Sequence, residues 1–214
     1  MNSMRIIKET ENTIICVKPA GVLSTDEPGG MPSLVRDALG EACSEICTVH
    51  RLDRVVSGLM VLAKNSTAAS ILGQQIMARS FEKEYLAVIH GCPQESEGRF
   101  TDLLFRDRYA RRTLIADSPA KGVREAVLDY SLLEKTDDLS LVKICLGTGR
   151  THQIRVQFSS RGMPVVGDRK YGTDDGCDIA LWSYRLAFDE PFTGERIDIS
   201  LPPPGQYPWN LFGC

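Results

Sequence analysis

No uninterrupted apolar stretch in this chain approaches the roughly 20 residues that a membrane-spanning helix requires, so the sequence offers no helical anchor. The opening MNSMRIIKETENTI carries charges where a secretory leader would need an apolar core. Charge of one sign is scarce as well. Twenty-five Lys and Arg stand against 28 Asp and Glu, a net of −3, so the whole-molecule balance does not mark a polyanion partner. The cysteines lack a pairing pattern: seven of them, an odd count scattered along the chain, suit free thiols in a reducing compartment. There is no internal repeat and no low-complexity tract. What remains is 214 residues, 43% apolar and 25% charged, enough to bury a core without staples. A cytoplasmic globular protein of one domain is expected, with the tail from about 203 left open by Pro202-Pro203-Pro204-Gly205.

The charge is unevenly spread. Residues 99–124 hold seven basic side chains (Arg99, Arg106, Arg108, Arg111, Arg112, Lys121, Arg124) against three acids. Residues 147–172 hold Arg150, Arg155, Arg161, Arg169 and Lys170 against Asp168 alone. Arg106, Arg108, Tyr109, Arg111 and Arg112 mix cations with an aromatic, which suits phosphate contact and base stacking. Two solvated loops would carry the same composition.

Strands are easier to find than helices. Arg5–Lys8, Thr13–Lys18, Leu59–Ala63, Tyr85–Ile89, Val127–Leu133, Leu139–Leu146, Ala180–Phe188 and Arg196–Leu201 all read as strands. Leu59–Ala63 is continuously apolar, as in a strand buried on both faces. Ser33 is a candidate cap for a short helix over Leu34–Leu39. A second helix is expected from Ser66 or Thr67, with Ala68, Leu72 and Ile76 on one stripe. Strands come in runs, so the expected class is α+β with a mixed, mostly antiparallel sheet.

Chemistry concentrates in two segments. In His50-Arg51-Leu52-Asp53-Arg54, four charged or titratable residues precede a core strand, a costly arrangement without partners. In extended chain Arg51 and Asp53 share one face and Leu52 the other. The second segment is Gly147-Thr148-Gly149-Arg150-Thr151-His152-Gln153-Ile154-Arg155. Its continuation alternates like a strand at Ile154, Val156 and Phe158, yet His152, Arg155 and Ser159 also share a helical face. Asp53 between two arginines fits a structural ion pair as well as a catalyst, and both histidines fit a scaffold role. The glycines at 147 and 149 begin neither GxGxxG nor a Walker motif. Cys43, Cys47 and His50 have tempting metal-ligand spacing, but no second pair supplies further ligands, so no metal is expected. No Ser or Cys sits in a nucleophile elbow.

HRLDRVVSGLMVLAKN at 50–65 resembles the central motif of the RluA-type pseudouridine synthases. KEYLAVIHG at 83–91, GRTHQIRVQFSSRGMPVVGDRKYG at 149–172, IALWSYRLAFDEPFTGERIDISLPPP at 179–204 and the opening IICVKPAGVLS at 14–24 are similar to further family segments, in the family's order. The resemblance covers nearly the whole chain. Two departures stand out. Val55-Val56 replaces a polar pair, and Leu181-Trp182-Ser183 replaces L-H-A; both bear on packing and substrate choice.

The resemblance implies a pseudouridine synthase catalytic domain with flanking helices and a central cleft, and with no room for an amino-terminal RNA-binding domain of the S4 type. It implies isomerisation of uridine in RNA to its C-glycoside, with no cofactor and no metal. Asp53 is the implied essential carboxylate, Arg155 its paired arginine and Tyr85 the platform for the base. A guanidinium holds a neighbouring carboxylate below its usual range, keeping it charged. Three roles fit that carboxylate: attack at C1′, attack at C6, or removal of a sugar proton. Arg51 is the plausible wedge for a flipped base, and Arg51, Arg54, Arg106, Arg108, Arg111, Arg112, Arg150 and His152 form the expected RNA-contacting set. The implied partner is structured RNA, a ribosomal or transfer RNA stem-loop, rather than DNA or a membrane, with the protein acting as a monomer. Two rivals are an RNA-binding or RNA-chaperone protein without chemistry and a hydrolytic glycosidase using two carboxylates.

Overall fold

The structure is a computed structural model that describes residues 3–40 and 45–213. Along the chain run β1 (Arg5–Glu9), β2 (Thr13–Lys18), α1 (Met31–Leu39), β3 (Cys47–Thr48), β4 (Ser57–Ala63) and α2 (Ser66–Ala78). There follow β5 (Glu82–His90), β6 (Glu97–Asp107), β7 (Arg112–Ala116), β8 (Val123–Lys135), β9 (Leu139–Leu146), α3 (Gln153–Ser159), β10 (Leu181–Asp189) and β11 (Arg196–Ser200). This is the expected α+β class. The chain divides into two compact units, Met1–Lys83 with Trp182–Pro202, and Glu84–Leu181 with Pro203–Cys214.

The first unit is built on β2 and β4, whose apolar residues are buried on both faces. Side chains alternate across a strand, so the two faces feed different cores. Ile15, Leu59, Val61 and Ala63 meet Ala68 and Leu72 of α2, together with Phe81, Leu186 and Phe188. Ile14, Cys16, Met60 and Leu62 meet Met31 and Val35 of α1. Strand order is β1-β2-β4-β10-β11, with β3 also on β4. The β4–β10 pairing is parallel, with Ser57 opposite Trp182 and Gly58 opposite Ser183.

α1 begins at Met31, not after Ser33, and its cap is Gly30. Pro32 explains the early start, because a proline in the first turn gives up an N–H that would be unpaired anyway. A side chain at 30 would collide with the Thr25 carbonyl oxygen, 2.1 Å from an ideal Cβ. α2 starts at Ser66 as expected, capped by Asn65, whose side chain accepts from the Ala68 amide at 2.7 Å.

The second unit is an antiparallel sheet ordered β5-β9-β8-β6-β7, with α3 packed on β6 and β7. Phe100, Tyr130 and Phe158 form a ring cluster with centroids 4.8 to 5.9 Å apart. The basic stretch at 99–124 is therefore not a solvated loop: most of it is the hairpin β6–β7 and the start of β8. Segment 153–158 is helical and buried throughout. The tail closes as a 3-10 turn over Trp209–Leu211, burying Trp209 and Phe212.

Candidate active site

In the first unit the HRLDR segment is held by hydrogen bonds of both backbone and side chains. His50 is buried, and its Nε2 accepts the Val61 amide at 3.1 Å. Burial first, and then the charge of Lys83, push its pKa down to about 3. His50 is thus a neutral scaffold residue. Ser24 brackets Leu52: its hydroxyl accepts the Leu52 amide at 3.0 Å and donates to the Leu52 carbonyl at 2.8 Å. Leu52 is buried between exposed Arg51 and half-buried Asp53, as expected of extended chain, and Arg54 is exposed in the turn that follows. The Asp53 carbonyl accepts the Val56 amide at 3.0 Å, closing the turn. Arg54 donates through Nε to the Gly21 carbonyl at 2.8 Å, and Gly21 N–H returns a bond to the Arg54 carbonyl.

Beneath this turn lies a residue that the sequence reading passed over. Lys18 is fully buried, and its Nζ donates to the carbonyls of Pro19, Arg54 and Val56 at 3.0, 3.1 and 2.8 Å. Burial pushes its pKa down to about 8, Asp53's charge raises it and that of Arg54 lowers it further. Lys18 therefore ties the residues that flank Asp53 to the end of β2. Its sequence signal was a lysine closing a buried strand before Pro19. Of the two departures, Val56 is buried and Val55 largely exposed, while Trp182 donates through Nε1 to the Leu201 carbonyl at 2.7 Å. Ser183 needs a glycine opposite: at Gly58, φ +119°, a Cβ would lie 2.5 Å from Ser183 backbone atoms.

In the second unit Tyr85 sits on β5, buried, opposite Ile144. Arg155 on α3 is gripped by Asp168, which accepts Nε and Nη2 at 2.7 Å each. Both side chains are buried. Burial alone would push the Asp168 carboxyl up. The Arg155 hydrogen bonds and charge, with the amides of Lys170 and Tyr171, outweigh that and hold it below the usual carboxylate range. Asp168 is the second residue that sequence reasoning missed, although it was the sole acid in its basic stretch.

Arg106, Arg112, His152 and Arg155 gather at Tyr171. Its ring faces the guanidiniums of Arg112 and Arg155 at 5.2 and 5.3 Å, and its hydroxyl lies 2.7 Å from His152 Nδ1. Arg112 donates to the Lys170 carbonyl, and Lys170 Nζ to the Arg111 carbonyl at 2.9 Å. Burial first, then the charges of Arg155, Arg106 and Arg112, lower the Lys170 pKa. That crowding of cations is a surface suited to an anion. Arg108 and Arg111 lie exposed at the hairpin turn, and Arg150 lies apart, donating to the Glu125 carbonyl at 2.8 Å. Among the described residues no group of three His, Cys, Asp or Glu side chains comes together as metal ligands; Cys43 lies outside the described residues.

Comparison with known proteins places the chain. The profile of the RNA pseudouridylate synthase family matches residues 12–160. The uncharacterized RNA pseudouridine synthase YlyB of Bacillus subtilis (strain 168) is 32% identical over 93% of this chain and 69% of its own length. The ribosomal large subunit pseudouridine synthase D of Neisseria meningitidis (strain Z2491) is 31% identical over 94% of this chain and 59% of its own. The solved structure of human RNA pseudouridylate synthase domain containing 1 superposes with a TM-score of 0.81 at 25% identity, covering 97% of this chain and 86% of that one. The chain belongs to the RNA pseudouridine synthase family, whose members are isomerases that modify RNA.

Proposed function

We propose that this protein converts specific uridines in structured RNA to pseudouridine, with Asp53 as the essential carboxylate and Tyr85 and Arg155 as the other members of the catalytic set. The observation that carries the reading is the family match over residues 12–160, which encloses all three. The scaffolding of the HRLDR turn by Lys18 and Ser24 supports it, since catalysis needs a carboxylate held in one geometry. Tyr85 would hold the uracil by stacking, and Arg51, exposed beside Asp53, would fill the gap left by a flipped base.

Ribosomal RNA is preferred to transfer RNA as substrate, because the meningococcal relative is named for the large ribosomal subunit. The cationic residues around Tyr171, together with Arg108 and Arg111, are assigned to the RNA backbone. The test is transcriptome-wide pseudouridine mapping in a deletion strain carrying either the wild-type gene or Asp53→Ala. Sites restored by the wild type alone establish the activity and name the RNA. If no site depends on the protein, RNA binding without chemistry replaces this reading.

A further inference from the structure

The tip of the β6–β7 hairpin carries a side chain that neither the fold nor the proposed reaction uses. Tyr109 is 102% exposed, more than any other large apolar or aromatic side chain among the described residues. A single exposed apolar residue is ordinary on a protein surface. Two features set this one apart: the turn beneath it is fixed, and its charged surroundings are of one kind.

Asp107 pairs with Arg112, which leaves 108–111 as the turn. The Asp107 carboxylate accepts the amides of Tyr109 and Ala110 through one oxygen, Oδ1, at 2.9 Å each. An aspartate that takes up amides two and three residues on is a turn former. Arg111 then brings the chain back into β7 from the left-handed region, φ 50°. Its carbonyl accepts Lys170 Nζ at 2.9 Å, so the turn is also tied to the segment that follows α3. The ring is thus presented on ordered backbone, and a ligand meets it without first ordering a loop.

Arg108 and Arg111 are exposed in the same turn, and Arg112 stands at its foot. The Asp107 oxygen that faces the turn is engaged by backbone amides. Phe192 makes the contrast. It is 64% exposed, in the turn between β10 and β11, where the charged residues are Glu190 and Glu195. An aromatic face among guanidiniums matches a ligand that has a flat base beside a phosphate.

We propose that Tyr109 is a base-stacking residue for RNA: its ring receives an unpaired base while Arg108 and Arg111 engage the phosphates of the same stretch. This deepens the RNA reading of the protein and rests on it. A base inside a duplex has both faces covered by its neighbours, so the partner is a loop, bulge or free end. Every base has a π-face, so the hairpin selects for an unpaired strand and not for sequence.

The test measures binding of two RNA probes, a stem closed by a loop of uridines and a blunt duplex of the same length. Tyr109→Ser should weaken binding to the stem-loop by roughly tenfold to a hundredfold and leave the duplex unaffected. Tyr109→Phe should bind as wild type does. The salt dependence should keep its slope in Tyr109→Ser, because no charge is lost. Phe192→Ser, which removes an exposed ring elsewhere, should change neither affinity. Tyr109→Trp supplies a direct reporter, since the native Trp182 and Trp209 are buried. Its fluorescence should be quenched by the stem-loop and not by the duplex. Unchanged stem-loop affinity in Tyr109→Ser, an equal loss for both probes, or equal quenching by both would each overturn the proposal. None of these readouts needs turnover, so they hold whether or not Asp53 proves catalytic. Wild-type protein that binds neither probe would sink the RNA reading and the stacking with it, whereas wild-type binding untouched by Tyr109→Ser sinks the stacking alone.

Discussion

Asp168 grips Arg155 from 13 residues away in sequence, accepting Nε and Nη2 at 2.7 Å with both side chains buried. The pair fixes the plane of the arginine that the proposed reaction uses. Removing one partner of a buried pair leaves an uncompensated charge, typically at a cost of about 3–5 kcal/mol. Asp168→Asn should therefore lower urea stability by an amount of that order and reduce kcat through misplacement of Arg155. Because the folded carboxyl sits below its usual value, its contribution is present above the unfolded pKa of about 3.9 and is lost as pH falls through the folded value. Asp168→Asn should flatten that part of the acid limb.

Lys18 should prove structural and indispensable. Lys18→Met leaves the carbonyls of Pro19, Arg54 and Val56 without their shared donor, and each buried orphan costs about 1–3 kcal/mol. Its folded pKa of about 8 lies below the unfolded value of about 10.4. The burial penalty is thus fully present below pH 8 and is relieved as pH rises between the two values. Chemical unfolding across that window should show the relief in wild type and not in Lys18→Met. A Lys18→Met protein with wild-type stability and turnover would remove the residue from the scaffold.

His50 supplies a second pH signature of the opposite reach. Its folded pKa, about 3, is far below the unfolded value of about 6.5, so the unfolded chain takes up the proton first. Stability should decline as pH falls from about 6.5 towards 3. His50→Gln can still accept the Val61 amide and cannot titrate. It should show a shallower decline over that range, measured by urea midpoints.

The hairpin turn should read the RNA backbone electrostatically. Arg108 and Arg111 are exposed there, so their replacement by glutamine should leave the melting temperature unchanged. Each lost phosphate contact reduces the slope of log K against log salt by about 0.7–0.9. Two lost contacts should therefore flatten the slope by about 1.5, and an unchanged slope would take the turn out of the interface.

The fold was legible where pattern and burial agree. Thr13–Lys18 was read to the residue, and Leu59–Ala63 was recognisable because a strand buried on both faces is a continuous apolar run. Residues 153–158 hid their helix for the opposite reason: all six are buried, so no polar face marked the period. Strands β6 and β7 were hidden by charge, since Phe100, Leu104 and Thr113 alone are buried among exposed arginines and acids. Ser33 misled because capping chemistry was weighed without Pro32 beside it. Of the site, the motif residues were visible in sequence. Lys18, Asp168 and Tyr171 were not singled out, because their importance lies in which carbonyl, guanidinium or imidazole the fold sets against them.

The central claim is that Asp53 is the carboxylate on which isomerisation depends. The most direct measurement incubates purified wild type and Asp53→Asn with ribosomal RNA from a deletion strain, then digests the RNA and separates its nucleosides. Pseudouridine formed by the wild type and absent with Asp53→Asn, with matched thermal melts for the two proteins, is the expected result. Turnover by Asp53→Asn, or release of free uracil in place of pseudouridine, would contradict it.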